Sequence, residues 1–245
     1  MPRRSPNARA SMTPEAVVKA LTAIYGLPAW RPHGDPMTEL VLTILSQNTS
    51  DTNSGRAFMR LITRFPAWEE LMLAPINEIE EEISVGGLAK QKAPRIKAAL
   101  QAIQDARGDL DLDFLREMPL DDAKNWLRGL NGVGPKTAAC VLMFAFGRPA
   151  IPVDTHVHRV VQRLGLVPGD TTPERAHVLL EALLEPDLVY PFHLLLIKHG
   201  RRLCHARAPR CAECPLLPGC PAGSTMAPKP PRVRRPPSAA PPPGA

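Results

Sequence analysis

Apolar residues recur along most of this chain at the three- and four-residue spacing of an α-helix. The clearest example follows Asp35 and Pro36, and its members are Met37, Leu40, Val41, Ile44 and Leu45. Such a stripe places one apolar face of a helix against a core. No segment shows the two-residue alternation of a strand with turn residues on both sides, so the pattern predicts an all-α fold.

Similar stripes with capping residues before them and glycines after them predict further helices. They cover residues 13–26, the stretch from Asp51 to Phe65 with Asp51 as its cap, 67–84, 93–103, 120–130, 155–164, 173–184 and 189–203. Residues 1–12 and 222–245 are basic, and the second segment is rich in proline. Neither can bury enough apolar surface to pack a core, so we expect both to be disordered.

The most informative stretch is 127–163, where the glycine hairpin 130–134 separates two predicted helices. Gly132 and Gly134 can adopt backbone angles closed to other residues and permit another backbone to approach closely. Pro135 suits the first turn of the next helix. The unpaired N–H groups at that turn could bind one DNA phosphate, although a turn that only joins two helices remains the alternative.

Two charged residues flank the apolar segment that follows the hairpin. Residues 137–146 contain no charged residue, which predicts a buried helix with Lys136 at its open end. A lysine that merely extends to solvent is the alternative. Asp154 precedes the next helix, where it could cap the helix N-terminus, supply a catalytic carboxylate, or do both.

The segments LNGVGPKTA (130–138) and AFGRPAIPVDTHVHRV (145–160) resemble the endonuclease III family of helix-hairpin-helix Gly-Pro-Asp DNA glycosylases. A weaker resemblance covers most of residues 36–221. The family's nucleophilic lysine and assisting aspartate then correspond to Lys136 and Asp154. The resemblance implies two helical domains with a cleft between them: a six-helix domain over 36–148, and an iron–sulfur domain formed by 13–35 and 149–221.

The chemistry of those two residue types agrees with this resemblance. Cleaving a base from C1′ of deoxyribose passes through an oxocarbenium-like state that a carboxylate stabilises. A neutral lysine can attack C1′ and form a Schiff base, after which β-elimination cuts the strand. The resemblance therefore implies a bifunctional DNA glycosylase/AP lyase of base excision repair that removes oxidised pyrimidines. The alternatives are a uracil or thymine mismatch glycosylase, or a non-catalytic iron–sulfur DNA-binding protein.

Further DNA contacts are implied by the resemblance. Gln47 or Asn48, in the polar corner after the first stripe, would fill the gap left by an extruded base, although the corner could be only a capped loop. Leu88 would wedge into the opposite strand, and Lys92 would approach a phosphate. The alternative for Leu88 is a place in the core. The adenine-removing branch carries a catalytic glutamate where this chain has Thr43, so we set that branch aside.

Four cysteines close the apolar part of the chain in the pattern C-x6-C-x2-C-x5-C: Cys204, Cys211, Cys214 and Cys220. In an intracellular protein such a group favours a metal over disulfides. Zinc sites usually have two close pairs, whereas only one is present here. The spacing resembles the [4Fe–4S] loop of the endonuclease III family. The cluster would then hold a loop with Arg201, Arg202, Arg207 and Arg210 against DNA, whereas Cys140 is expected to be a buried apolar residue.

Charge and hydropathy add expectations about partners. The formal net charge is +6, but seven basic residues lie in the two terminal segments, which contain no acidic residue. The rest of the chain is nearly neutral, so a DNA face requires local clustering of basic residues. No apolar run approaches the roughly 18 residues of a membrane helix. We expect a cytoplasmic monomer, associated with the nucleoid in a prokaryote, whose partner is double-stranded DNA with a damaged base and not a membrane.

Overall fold

A computed structural model describes residues 12–31 and 34–226, and these residues form an all-α protein with no strand among them. The α-helices of the described part are α1 Pro14–Tyr25, α2 Pro36–Ser46, α3 Asp51–Arg64, α4 Trp68–Leu73, α5 Ile76–Ile83, α6 Ala89–Arg107, α7 Leu120–Arg128, α8 Pro135–Phe146, α9 Thr155–Leu164, α10 Pro173–Leu183, α11 Pro186–Arg202 and α12 Gly223–Met226. Short 3-10 turns occur at Ser84–Gly86, Asp113–Arg116, Cys211–Glu213 and Leu217–Gly219. The predicted fold class is confirmed.

Side-chain caps fix where several of these helices begin. Thr13, Asp35, Asp154 and Thr172 each accept a hydrogen bond from a backbone N–H in the first turn of the helix that follows. These bonds satisfy donors that have no partner inside the helix. Proline also stands in the first turn of α1, α2 and α10, where its missing N–H costs nothing.

The helices pack around two apolar cores. The first core takes its buried residues from α2–α8, and the second from α1, α9–α11 and Leu216 near the cysteines. Helix α8 contributes to both, because Met143 packs in the second core while most of the other buried residues of the helix pack in the first. The helix that carries Lys136 is therefore held between the two lobes of the molecule. No helix in the described ranges is both long and apolar enough to cross a bilayer.

Several element boundaries differ from the sequence prediction. Ser50, and not Asp51, caps α3, since its side chain accepts from the N–H of Asn53. The stretch 67–84 forms two helices separated at Pro75, so residues 36–148 contain seven α-helices instead of six. Helix α6 begins at Ala89, before its apolar stripe. The short helix α12 lies inside the range 222–245 that was expected to be disordered. The rest of that range, 227–245, and almost all of the segment 1–12, which was also expected to be disordered, lie outside the described residues.

Candidate active site

The hairpin between α7 and α8 has a different requirement at each of its two glycines. Gly132 has φ +80°, and an added Cβ would lie 2.8 Å from Cδ of Arg95, so both the backbone angle and the space demand glycine. Gly134 has an ordinary φ of −91° and open space around its missing Cβ. No neighbouring atom among the described residues requires glycine at that position. Because glycine has no side chain, another molecule can come close to the backbone at Gly134.

Lys136 is the second residue of α8 and therefore lies at the N-terminal end of that helix. It is half-buried, whereas the residues behind it are almost all buried. In the described part of the chain no side chain caps α8 at Gly134, so the first N–H groups of this helix have no side-chain partner there. A single amine thus stands at the positive end of an apolar helix.

Asp154 caps α9 and is also half-buried. Its Oδ1 accepts from the backbone N–H of Val157 at 2.7 Å, and its carbonyl accepts from the N–H of His158 at 2.8 Å. The cap uses one carboxylate oxygen. Capping therefore leaves the second carboxylate oxygen available for another role.

Two buried side chains lie within the electrostatic reach of both Lys136 and Asp154. Burial raises the pKa of the Cys140 thiol to about 11; Lys136 opposes that rise, whereas Glu39 and Asp154 add to it. Burial lowers the pKa of His193 to about 4, against the influence of Asp154 and together with that of Lys136. The amine and the carboxylate thus act on the same neighbours across the junction of α8 and α9.

Two buried histidines fix the segment that leads into Asp154. Nδ1 of His177 on α10 donates to the carbonyl of Ile151 at 2.8 Å, and Nδ1 of His193 on α11 donates to that of Pro152 at 2.9 Å. A carbonyl can only accept, so both rings carry their proton on Nδ1. Burial lowers the pKa of each to about 4, which keeps the imidazoles neutral near pH 7. Neither histidine was predicted from the sequence.

A buried carboxyl on α2 also belongs to this region. Glu39 is only 5% exposed, and its Oε1 accepts from the hydroxyl of Thr43, one turn along the helix, at 3.1 Å. Burial raises the pKa of Glu39 to about 7, while Thr43 and Lys136 pull it downward. One feature of the sequence could have indicated this pair: Glu39 and Thr43 are polar, four residues apart, and lie on a face of α2 outside its apolar stripe.

The polar corner after α2 brings its two candidate residues into different positions. Gln47 is tied down: its Nε2 donates to the carbonyl of Gly132 at 3.0 Å and to Thr137 Oγ1 at 3.3 Å, while its Oε1 accepts from Arg95 at 3.2 Å. Asn48 is exposed and has φ +52°. Both ends of the Gln47 amide are thus engaged within the protein, whereas the neighbouring asparagine projects outward.

Leu88 and Lys92 lie at the start of α6 and have opposite environments. Leu88 is 44% exposed with φ +55°, so its predicted place outside the core agrees with the geometry. Lys92 is only 1% exposed, and its Nζ donates to Leu45 O, Thr49 Oγ1 and Gly86 O. All three of its donors are used inside the protein. The prediction that Lys92 approaches a phosphate is therefore wrong, because the buried ammonium cannot reach DNA from this position.

Cys204, Cys211, Cys214 and Cys220 line one pocket, between the end of α11 and the short turns that follow. Among the described residues, no three His, Cys, Asp or Glu side chains converge closely enough to hold a single metal ion. A four-iron cluster is wider than one ion, so four thiols spaced around an apolar pocket fit it. Burial raises the pKa of Cys214 to about 11, and a thiolate there requires a positively charged partner.

Hydrogen-bond donors point at two of these sulfurs. Arg163 Nη1 lies 3.2 Å from Sγ of Cys204, and the backbone N–H of Gly223 lies 3.3 Å from Sγ of Cys220. Such donors suit sulfurs that carry negative charge. The basic residues around this loop are partly neutralised, since Arg201 pairs with Asp51 and Arg210 pairs with Glu213. Arg202 and Arg207 are exposed.

Comparison with known proteins places this geometry in a family. Residues 41–186 match the HhH-GPD superfamily base excision DNA repair protein family. Endonuclease III of Thermotoga maritima is 37% identical over 186 residues, 76% of this chain and 83% of that protein. An Arabidopsis thaliana relative named as a DNA glycosylase is 41% identical over 162 residues; that match is 66% of this chain but only 55% of the relative's length.

The similarity extends to three-dimensional structure. A trapped endonuclease III–DNA covalent intermediate superposes with a TM-score of 0.73 at 29% identity, over 87% of this chain and 98% of that one. The sequence resemblance carried by the hairpin and by Asp154 is thereby confirmed at the level of the family. The chain belongs to the HhH-GPD superfamily of base excision DNA repair proteins and, within it, to the endonuclease III family of DNA glycosylases.

Proposed function

We propose that the protein is a bifunctional DNA glycosylase/AP lyase that removes oxidised pyrimidines and then cuts the strand. One observation carries the proposal: Lys136 lies half-buried at the start of α8, and Asp154 caps the next helix through only one of its carboxylate oxygens. We place the amine and the carboxylate in one site, because helix α8 and the segment before Asp154 both contact His193. The covalent endonuclease III–DNA intermediate supports a covalent mechanism for that relative, and we extend it to this chain.

The proposed reaction uses both groups. Nζ of Lys136, once neutral, attacks C1′ of the damaged nucleotide, and the bond from C1′ to the base breaks. Asp154 accepts the proton released by the ammonium and passes it to the departing base, and the carboxylate so restored stabilises the positive charge that develops on the sugar. Opening of the sugar ring gives a Schiff base on Lys136. Loss of a C2′ proton then breaks the C3′–O bond, which cuts the strand and leaves the base-excised sugar on the enzyme until hydrolysis.

A base inside a duplex stack is out of reach, so the nucleotide must rotate out of the helix. We assign the gap left behind to Asn48, because the Gln47 amide is engaged by Gly132, Thr137 and Arg95. Leu88 is the wedge into the opposite strand. The start of α8, beside the open side of Gly134, holds a phosphate through backbone N–H groups.

We further propose that the four-cysteine pocket holds a [4Fe–4S] cluster. When bound, the cluster supplies cross-links between the loop segments and no chemistry on the sugar. Cys204, Cys211, Cys214 and Cys220 are its ligands, while Arg163 and the N–H of Gly223 donate to two of the sulfurs. The loop 204–220 is thereby fixed beside the end of α11, where Arg202 and Arg207 are exposed to solvent.

Replacing one ligand tests the cluster. In Cys214→Ser protein, iron and acid-labile sulfide should fall well below the four of each per chain expected for the wild type. The control is Cys140→Ser, which changes a buried thiol of α8 that does not line the pocket. Iron content should survive that change. Zinc in place of iron in the purified wild type, or equal iron loss in both variants, would contradict the assignment.

A panel of single-lesion duplexes tests the function. We expect wild-type protein to excise an oxidised pyrimidine and cut the strand, and Lys136→Ala to do neither while it still binds the duplex. Lys136→Arg keeps the positive charge at the start of α8 but cannot form a Schiff base, so it should behave like the alanine variant. Lys19→Arg, at an exposed position of α1, provides the matched control and should retain full activity.

The same panel separates the alternatives. Preferential excision of uracil or of mismatched thymine would favour a mismatch glycosylase. Binding to every duplex without excision or cutting by the wild type would favour a non-catalytic iron–sulfur DNA-binding protein. Undiminished cutting by Lys136→Ala would remove the proposed nucleophile.

A further inference from the structure

A single buried ammonium joins the corner after α2 to the turn before α6. Nζ of Lys92 donates to the carbonyl of Leu45 in the last turn of α2 at 2.6 Å and to the hydroxyl of Thr49 in the corner at 2.6 Å. Its third bond, at 3.2 Å, goes to the carbonyl of Gly86 in the turn before α6. Since the lysine is 1% exposed, water cannot replace it as a donor to these oxygens without rearrangement.

The two loops are also bonded directly to each other. Thr49 Oγ1 donates to the carbonyl of Gly86 at 2.5 Å, so this hydroxyl both accepts from Lys92 and donates across the junction. Gly86 itself packs closely, because an added Cβ would lie 3.1 Å from the Cβ of Ala57. The corner and the turn thus form one cross-linked unit around the Lys92 ammonium.

The residues held by this unit have unfavourable backbone conformations. In the described part of the chain, three residues other than glycine have positive φ: Asn48, Leu88 and Ala208. Asn48 directly precedes Thr49, and the carbonyl of Leu88 accepts the backbone N–H of Lys92 at 3.0 Å. A left-handed conformation is especially unfavourable for leucine. A residue keeps such a conformation only where contacts with its surroundings hold the backbone in place. Residues of this kind are common at functional sites.

The left-handed backbone conformation of Asn48 and Leu88 leaves both side chains exposed. Leu88 is 44% exposed and Asn48 is exposed. Neither conformation therefore serves packing of the core. Both present a side chain outward, on adjacent loops that one lysine fixes, and these are the two side chains assigned to enter the duplex.

Helix α6 also reaches the hairpin. Arg95, one turn after Lys92, donates to Oε1 of Gln47, and the aliphatic part of its side chain lies against Gly132. The Gln47 amide in turn donates to the carbonyl of Gly132. The corner, the turn before α6 and the hairpin are thus tied to one turn of a single helix.

We propose that Lys92 is a positioning residue that holds Asn48 and Leu88 at a fixed separation, so that both enter a duplex in one step. The proposal rests on the proposed function, because it assigns Lys92 to the extrusion of the damaged nucleotide. Lys92 touches neither the sugar nor the base. Its effect is confined to double-stranded DNA, because a single strand has no stack to open and no opposite strand to wedge.

Lys92→Met, which keeps the length of the side chain and removes its donors, tests this role. Single-turnover excision of a damaged base from a duplex should slow by about 10- to 100-fold, the scale of a misplaced positioning group. The rise in fluorescence of 2-aminopurine placed opposite the lesion, which reports unstacking, should slow in parallel. Strand cutting at an abasic site in single-stranded DNA should remain at the wild-type rate.

Lys97→Met is the matched control. Lys97 lies on the same helix and donates to a carbonyl, that of Ala74 at 2.5 Å, away from the corner. This variant loses a comparable bond and should leave both rates unchanged. In a Leu88→Ala background, the duplex-specific effect of Lys92→Met should shrink, because the two residues act on one step.

A second variant covers the case in which Lys92→Met does not fold. Thr49→Val removes the hydroxyl that links the loops and retains the lysine, and it should produce the same duplex-specific loss. Equal slowing on duplex and single-stranded DNA, or wild-type rates in folded Lys92→Met and in Thr49→Val, would overturn the proposal. Cutting of the single-stranded abasic substrate by the wild-type protein tests the proposed lyase activity alone, so failure of that activity can be distinguished from failure of the role of Lys92.

Discussion

At the scale of single residues, Asp154 has two roles that a substitution can separate. One carboxylate oxygen accepts the Val157 N–H and caps α9, whereas the negative charge is what the proposed transition state requires. An asparagine at this position can still accept that N–H. It cannot stabilise a developing positive charge on the sugar.

We expect Asp154→Asn to reduce the rate of base excision by about 10²- to 10³-fold, the typical effect of losing one electrostatic contact to a transition state. Its melting temperature should change little, because the cap is retained. The matched control is Asp35→Asn at the exposed cap of α2, which should leave the rate unchanged. Single-turnover kinetics and thermal unfolding check both. Near wild-type excision by Asp154→Asn would restrict Asp154 to capping.

At this scale, the sequence predicts those candidate residues that their neighbours along the chain make recognisable. Lys136 is marked by the absence of other charges in α8, and Asp154 by its place before a helix. The sequence does not predict Glu39, His177 and His193, because their burial depends on which helix packs against them. The spacing of residues along the chain does not show which helices pack together. Lys92 is the clearest error: the glycines before it indicated an exposed loop, whereas the tertiary fold closes over its ammonium.

At the scale of elements, the segment between α8 and α9 is fixed by side chains that arrive from two later helices. His177 of α10 and His193 of α11 each donate to a carbonyl of this segment while buried and neutral. Protonating either ring places an uncompensated charge in the interior. The position of Asp154 therefore depends on histidines that must not carry a charge.

This arrangement predicts a loss of stability in acid. The folded pKa of each histidine is about 4, below its ordinary value of 6.5, so between these values the unfolded chain binds more protons. The stabilisation is complete above about pH 6.5 and is lost as pH falls towards 4, by up to about 3 kcal/mol per histidine. Denaturant unfolding at several pH values measures this loss.

The control for that measurement is the double variant His177→Gln, His193→Gln. Glutamine can donate to the same carbonyls but does not titrate, so the free energy of unfolding should depend less steeply on pH over this interval. An identical slope in the wild type and the double variant would show that other groups govern the acid response.

At the scale of the whole molecule, contacts between residues distant in sequence hold the two lobes together. Lys124 of α7 donates to Glu181 of α10 at 2.8 Å, and both side chains are largely buried. Arg201 and Asp51 form a second pair, which is exposed and therefore contributes little. Periodicity predicted almost every helix but none of these pairings, since neither residue of such a pair carries a signal of its partner.

The central claim is that the amine at the start of α8 bonds covalently to the sugar of a damaged nucleotide. Borohydride reduction of wild-type protein turning over an oxidised-pyrimidine duplex, followed by proteolysis and mass spectrometry, tests it most directly. We expect one cross-linked peptide, with the reduced sugar on Nζ of Lys136. Rapid excision without a trapped species, or a cross-link on another amine, would contradict it.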